Sequence, residues 1–231
     1  MTSSTLFKGT FQSSPERIAG RLGRIKAYIF DWDGVFNAGF KDAVNQSPFS
    51  EVDAMGTNML RFCHYLHIGR PPLVAIISGE KNDAALRFAK REHLNAVYCG
   101  IKHKRQALGH LMAQHNLLPE EVCFFFDDIL DLSIAKVCGL RMMVGRDCSP
   151  ALTDYAQRNN LADYISANDG GHGFVRESAE LLCVLGGRYD EALRERTDFT
   201  SVYQDYLSKR DEPEPEIFAL KDGVIAPAED A

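Results

Sequence analysis

The chain has 231 residues, 25% charged and 10% aromatic, with a formal net charge of −6. That length allows one sizeable core with a small appendage, and the composition is ordinary for a globular fold. The acidic balance, without a Lys/Arg block or a basic-aromatic platform, excludes bulk attraction to nucleic acid, although a local basic pocket needs only one or two cations.

Residues 1–22 are polar and mixed, with a short helix expected over 15–22. The β-rich run 25–30 stops abruptly at Asp31. Asn37, Gly39, Asn45 and Pro48 mark residues 35–49 as a loop, or a small hairpin projecting from the body. From Asp53 onward Met55, Met59, Leu60, Cys63 and Leu66 recur at helical spacing, and Gly69 with Pro71-Pro72 ends that helix. The continuous apolar run 73–77 suits a strand buried on both faces. A helix over 82–92 follows it. The cycle repeats with strands at 96–99, 122–126, 140–144 and 164–165 and helices at 104–115, 130–138, 150–159 and 174–185. Beyond Arg188, residues 189–207 read as helix and the acidic, proline-rich 209–216 as a flexible stretch. The apolar island 217–220 either docks on the body or a neighbour, or stays disordered.

Strands alternating with helices predict an open parallel α/β sheet with helices on both faces. The chain then divides into an extension (1–24), a body (25–187) with an insertion near 36–49, and a C-terminal helix with its acidic tail (188–231). Six cysteines show no CxxC pair and several sit in apolar runs, which predicts free thiols in a reducing compartment. The N-terminus lacks a charged region followed by an apolar run, and no apolar stretch reaches membrane-spanning length. A cytoplasmic protein is the expectation.

Ligands in such sheets bind beyond the carboxyl ends of the strands. That rule gathers Asp31/Asp33, Ser78, Lys104 and Asp127/Asp128/Asp131. Asp31 is the candidate nucleophile and Asp33 the candidate acid/base, with Gly34 permitting a tight turn beside them. Alone, the pair also reads as two turn-forming aspartates. Three carboxylates after the apolar strand 122–126 repel one another unless a cation neutralises them, and hard oxygen ligands suit Mg²⁺. Asp127 and Asp128 are the metal candidates there, together with Asp31 and Asp33; Asp131 is a weaker one that also reads as a helix N-cap. Ser78 and Gly79 offer a hydroxyl and backbone N–H groups to a phosphate, and Lys104 offers a cation. The histidines show no metal-binding spacing, and His172 lies in a glycine-rich turn.

In this order the motifs resemble the haloacid dehalogenase superfamily: Asp31-Trp32-Asp33-Gly34, Ser78, Lys104, then Asp127-Asp128 with Asp131. Further stretches, Val97-Tyr98-Cys99-Gly100, Ala162-Asp163-Tyr164-Ile165 and 170–177, resemble the cap-less branch containing 3-deoxy-D-manno-octulosonate 8-phosphate phosphatase. The resemblance covers about residues 25–185. It implies a Mg²⁺-dependent phosphomonoester hydrolase working through an aspartyl-phosphate on a small phosphorylated sugar or sugar acid. It also implies a homotetramer in which hairpins such as 36–49 close the active sites. Three positions depart from the pattern: Glu80 stands where an arginine usually follows Thr-Gly, Phe126 where the acidic motif usually begins with glycine, and Leu130 where asparagine is common. These departures leave open a catalytically weak or inactive regulatory or assembly protein built on the same fold. A phosphoacceptor without turnover is a further alternative, opposed by Asp33.

Overall fold

Alternation within the apolar runs assigns their side chains to two faces of a sheet. The computed structural model describes residues 3–42 and 47–228. Its first half holds β1 (Thr10–Phe11), α1 (Pro15–Leu22), β2 (Ala27–Phe30), α2 (Glu51–Ile68), β3 (Leu73–Ile77), α3 (Asp83–Arg91), β4 (Ala96–Cys99) and α4 (Lys104–His115). Its second half holds β5 (Val122–Phe126), α5 (Leu132–Ala135), β6 (Leu140–Met143), α6 (Pro150–Arg158), β7 (Tyr164–Ile165) and α7 (Phe174–Leu185). Then come α8 (Tyr189–Thr197), α9 (Ser201–Arg210), β8 (Glu216–Lys221) and β9 (Val224–Pro227).

Among the described residues the strands form one nine-stranded sheet in the order β1-β7-β6-β5-β2-β3-β4-β8-β9. Every pairing is parallel except β1 on β7 and β9 on β8, at the two edges. Tyr28, Phe30, Val74, Ile76 and Phe125 face a core shared with α1, α2, α3 and α7. Ile29, Ala75, Ile77, Phe124 and Phe126 face the opposite core, shared with α4, α5 and α6. Helices therefore cover both faces, and an apolar run buried on each side forms each central strand. The order reverses at β2, which lies between β5 and β3, and the crevice opens there.

Local chemistry sets the element ends. Ser50 caps α2 by accepting from the Val52 N–H, and Gly69 closes it in a left-handed conformation with φ 85°. In the middle of α2, Gly56 lets α7 approach closely: a Cβ there would lie 2.7 Å from the Arg176 Cα.

Three features differ from the expectations, and a fourth decides between alternatives. The segment 130–138 is a 3-10 turn (Ile129–Asp131) running into the short α5, because Asp128 caps that turn through the Ile129 N–H. The single helix over 189–207 is two helices, broken at Phe199 (φ 48°), with Thr200 capping α9. No strand occurs at 36–42 or 47–50, and the rest of the expected hairpin, 43–46, lies outside the described residues. This loop is anchored by aromatic packing instead: Trp32 stacks on Phe36 at 5.0 Å, and its indole N–H donates to the Ser47 carbonyl. Finally, the island 217–220 docks on the chain's own body, as β8 beside β4, and Phe218 stacks on Tyr98 at 5.0 Å. The N-terminal segment is likewise built in, with Arg21 on α1 bonded to the buried Asp163 at 2.9 Å.

Candidate active site

β2, β5 and the start of α4 bring their polar ends to one cleft of about 260 Å³. Asp31, Asp33, Gly79, Lys104, Asp127, Asp128 and Asp131 all line it. Buried Lys104 bridges two carboxylates, with Nζ 2.6 Å from Asp31 Oδ1 and 2.6 Å from Asp131 Oδ1. The other Asp131 oxygen accepts from the backbone N–H groups of Asp127 (3.4 Å) and Asp128 (3.2 Å). Asp131 thus fixes both the turn after β5 and the position of Lys104. The contact with the turn is local in sequence and the bond to Lys104 spans 27 residues, so only the capping half was legible there.

Carboxylate oxygens of Asp31, Asp127 and Asp131 all lie within 4.8 Å of one another. At an effective dielectric of about 20, like charges this close repel by about 3–4 kcal/mol per pair. Burial, then Asp131, pushes the Asp31 carboxyl well above its ordinary value, against the pull of Lys104. The same two causes push Asp127 up to about 6. Burial draws the Lys104 ammonium down, but Asp31 and Asp131 more than offset it and the net direction is upward. The cluster retains an excess of negative charge that a proton or a hard cation relieves.

The tightest group differs from the set expected as metal ligands. Asp131 joins Asp31 and Asp127 in it, whereas Asp33 and Asp128 do not. Asp128 is turned toward the Ile129 N–H (2.7 Å) by its capping geometry. Asp33 faces Lys41 at 3.3 Å, and its second oxygen is buried without a partner among the described residues. Ser78, 1% exposed, lies beneath the cleft rather than on its wall, and its hydroxyl accepts from the Glu80 N–H at 3.3 Å. Its neighbour Gly79 lines the cleft.

Arg146 was not singled out from the sequence. Its guanidinium reaches Asp127 at 2.7 Å and donates to the Gly34 carbonyl at 2.8 Å. It follows the end of β6, so the rule that flagged the other polar residues after strand ends applies to it too. Gly34 is required at this point: φ is 86°, and a Cβ would lie 2.0 Å from Asp127 Oδ2. A glycine-rich loop presses on the same turn, since a Cβ on Gly170 would lie 1.7 Å from the Gly34 oxygen. Glu177 holds the start of that loop by accepting from the N–H groups of Ala167 and Asn168, each at 2.9 Å. His172, in that loop, lines a separate depression with Phe40 and Arg146.

The three departures have distinct consequences. Phe126 is fully buried and stacks parallel to Phe124 at 5.5 Å, so its ring points into the core and leaves the acidic turn undisturbed. That burial contributes roughly 1.5–3 kcal/mol. Glu80 and Leu130 both line the cleft, and Glu80 stands 3.9 Å from Lys102.

No family model matches the chain. It is 32% identical over 179 residues to the 3-deoxy-D-manno-octulosonate 8-phosphate phosphatase of Escherichia coli K12, covering 76% of this chain and 88% of that one. A probable YrbI-family phosphatase of Pseudomonas syringae superposes with a TM-score of 0.65 at 27% identity, over 79% of this chain and 98% of that one. The cobalt-bound form of the Haemophilus influenzae deoxy-D-mannose-octulosonate 8-phosphate phosphatase gives 0.62 at 25% identity, over 73% and 93%. Fold and relatives together define a phosphatase-class hydrolase. Its motifs run in the same order as the strand ends that build the cleft. The chain belongs to the 3-deoxy-D-manno-octulosonate 8-phosphate phosphatase family, within the haloacid dehalogenase superfamily.

Proposed function

We propose that the chain is a Mg²⁺-dependent phosphomonoesterase for a small phosphorylated sugar or sugar acid, acting through an aspartyl-phosphate on Asp31. The observation that carries this reading is the Asp31–Lys104–Asp131 bridge, 2.6 Å on each side, beside Asp127 in one cleft. Lys104 holds the Asp31 carboxylate in place and supplies the positive charge that a phosphate needs as it approaches. An Asp31 oxygen attacks phosphorus, forming the acyl-phosphate bond as the ester P–O bond breaks. Asp33 gives its proton to the departing alkoxide, then takes one from the water that attacks the same phosphorus. That second attack releases inorganic phosphate and restores Asp31. Gly79 leaves the cleft wall open at the backbone, where N–H groups meet phosphate oxygens.

The donor set fits a hard divalent cation: Asp31 and Asp127, with Asp131 beside them, are all-oxygen and in excess of the local positive charge. Asp33 and Asp128 line the same cleft, and in this reading they serve as further ligands. When bound, Mg²⁺ would neutralise charge on the phosphoryl oxygens. The cobalt-bound relative supports a divalent ion.

The name shared by the relatives supports a sugar-acid phosphate, and Glu80 in the cleft favours a substrate whose carboxylate lies away from it. Exposed apolar side chains at Phe40 (82%), Ile129 and Leu130 support a homo-oligomer, with a tetramer expected in solution scattering. Free thiols suit a reducing, cytoplasmic setting. A weaker second reading, a metal-binding protein of little turnover, draws on Arg146 already seated on Asp127.

The test is phosphate release from a panel of sugar phosphates, sugar-acid phosphates and nucleotides with Mg²⁺, beside D31N and K104A. Release that needs Mg²⁺ and vanishes in D31N is expected. Wild-type release no higher than D31N on every substrate overturns the phosphatase reading in favour of the second.

A further inference from the structure

A second cavity, of about 350 Å³, opens near the amino ends of β2 and β3, at the far end of the sheet from the catalytic cleft. Lys26, Arg61, Arg70, His115, Lys209 and Arg210 line it, and no carboxylate does among the described residues. Lys209 and Arg210 come from α9, in the part of the chain that lies beyond the resemblance to the phosphatases. The body and the C-terminal segment therefore build this cavity together.

Most of these cations have ordinary explanations. Lys26 pairs with Glu121 at 2.5 Å, Lys209 with Asp205 at 2.8 Å, and Arg210 with Asp211 at 2.6 Å. The carboxyl ends of α4 and α9 also attract His115, Lys209 and Arg210 through their partial negative charge. Arg61 fits neither account. It stands about two turns before the end of α2, beyond the reach of that helix end. It is 1% exposed, and among the described residues its guanidinium donates only to backbone carbonyls, those of Glu92 (2.5 Å) and His93 (3.2 Å).

Among the described residues Arg61 Nε is buried without a partner, and so is the hydroxyl of Tyr206. Glu92 and Asp211 act on Arg61 through their charge, but Glu92 already accepts from Arg91 (2.9 Å) and Asn58 (2.8 Å) and lies 4.0 Å from Arg210, and Asp211 pairs with Arg210. Arg70 makes no ion pair among the described residues. A buried guanidinium without its own counter-charge, facing a cavity rimmed by further cations, is a strong electrostatic imbalance. Its flat donor fork matches the oxygens of a tetrahedral oxyanion.

We propose that this cavity binds a phosphate dianion, either free or as the terminal group of a small metabolite, at a site separate from the catalytic cleft. Arg61 binds from the floor, and Arg70 and Lys209 close on the anion from the rim. The proposal does not depend on the phosphatase reading.

Isothermal titration of the full-length K104A variant in EDTA tests it, because that variant lacks the lysine of the catalytic cleft. Inorganic phosphate is the first probe and glycerol 3-phosphate the second. One phosphate bound per chain in K104A is expected, weakened at least tenfold when R70E or K209E is added. Both added substitutions are at solvent-accessible positions, so they keep the test alive if an Arg61 variant fails to fold. Tighter binding of glycerol 3-phosphate than of phosphate supports the site with a phosphate ester as ligand; equal binding supports it with the free ion. No heat of binding in K104A, or binding indifferent to both R70E and K209E, overturns the proposal.

Discussion

The two ends of the sheet are electrostatic opposites. At the carboxyl ends of the strands, acids crowd together with Lys104 and Arg146 set among them. At the amino ends, cations crowd together and their acids lie outside the cavity. Parallel topology accounts for part of this. It points helix amino ends, with their partial positive charge, toward the acidic side, and helix carboxyl ends toward the basic side. The residues that run against that field are then the informative ones. Lys104 is a cation in the first turn of α4, and Arg61 is a buried cation too far along α2 to gain from its end. Each is held by something other than the helix.

The sharpest way to break the contrast is Asp31→Asn. Phosphate release should fall by more than about 10³-fold, while the melting temperature holds or rises because one of three repelling carboxylates is gone. A collapse in melting temperature would instead make Asp31 a structural residue. Gly34→Ala should come next, destabilising the chain by about 2–3 kcal/mol in urea unfolding. The added methyl meets both Asp127 and Arg146 at a positive φ. A value within about 0.5 kcal/mol of wild type would mean the turn relaxes freely.

Protons sharpen the same comparison. Asp127 is raised from 3.8 to about 6, so its contribution to stability is full below pH 3.8 and lost as pH rises through about 6. Mg²⁺ should therefore raise the melting temperature more at pH 8 than at pH 5. An equal shift at both would place the ion elsewhere. Arg146→Gln removes the guanidinium from Asp127, and Mn²⁺ binding at pH 8 should tighten by about 3- to 10-fold, read by calorimetry. Weaker binding would show that Arg146 assists the metal site. The smallest effect belongs to the basic end: Tyr206→Phe deletes an unpartnered hydroxyl and should change stability by less than about 0.5 kcal/mol. A larger loss would reveal a hidden partner for that group.

The repeating body was legible because its strands are continuous apolar runs and its helices have clear periodicity. α4 and α7 fall at the residues expected, 104–115 and 174–185. The ends were not legible, for physical reasons. β8 buries only Phe218 among its residues, so its local pattern is too weak to announce a strand; pairing with β4 makes it one. The break between α8 and α9 rests on a left-handed phenylalanine, which no residue preference signals. At the cleft, strand-end position identified Asp31, Asp127 and Lys104 as neighbours. Which oxygen faces which partner depends on side-chain bonds between residues far apart in the chain, 27 residues for Lys104–Asp131 and 112 for Arg146–Gly34. For that reason the sequence alone shows neither the Asp131–Lys104 bond nor the reach of Arg146 to Asp127.

β8 and β9 have a consequence for how the protein is made. The strand they shield, β4, leaves the ribosome well before residues 216–227 exist. Throughout that interval its outer edge offers unpaired N–H and C=O groups to any passing strand. The last two strands act late as a seal, and a stalled or clipped chain carries the adhesive edge without its cover.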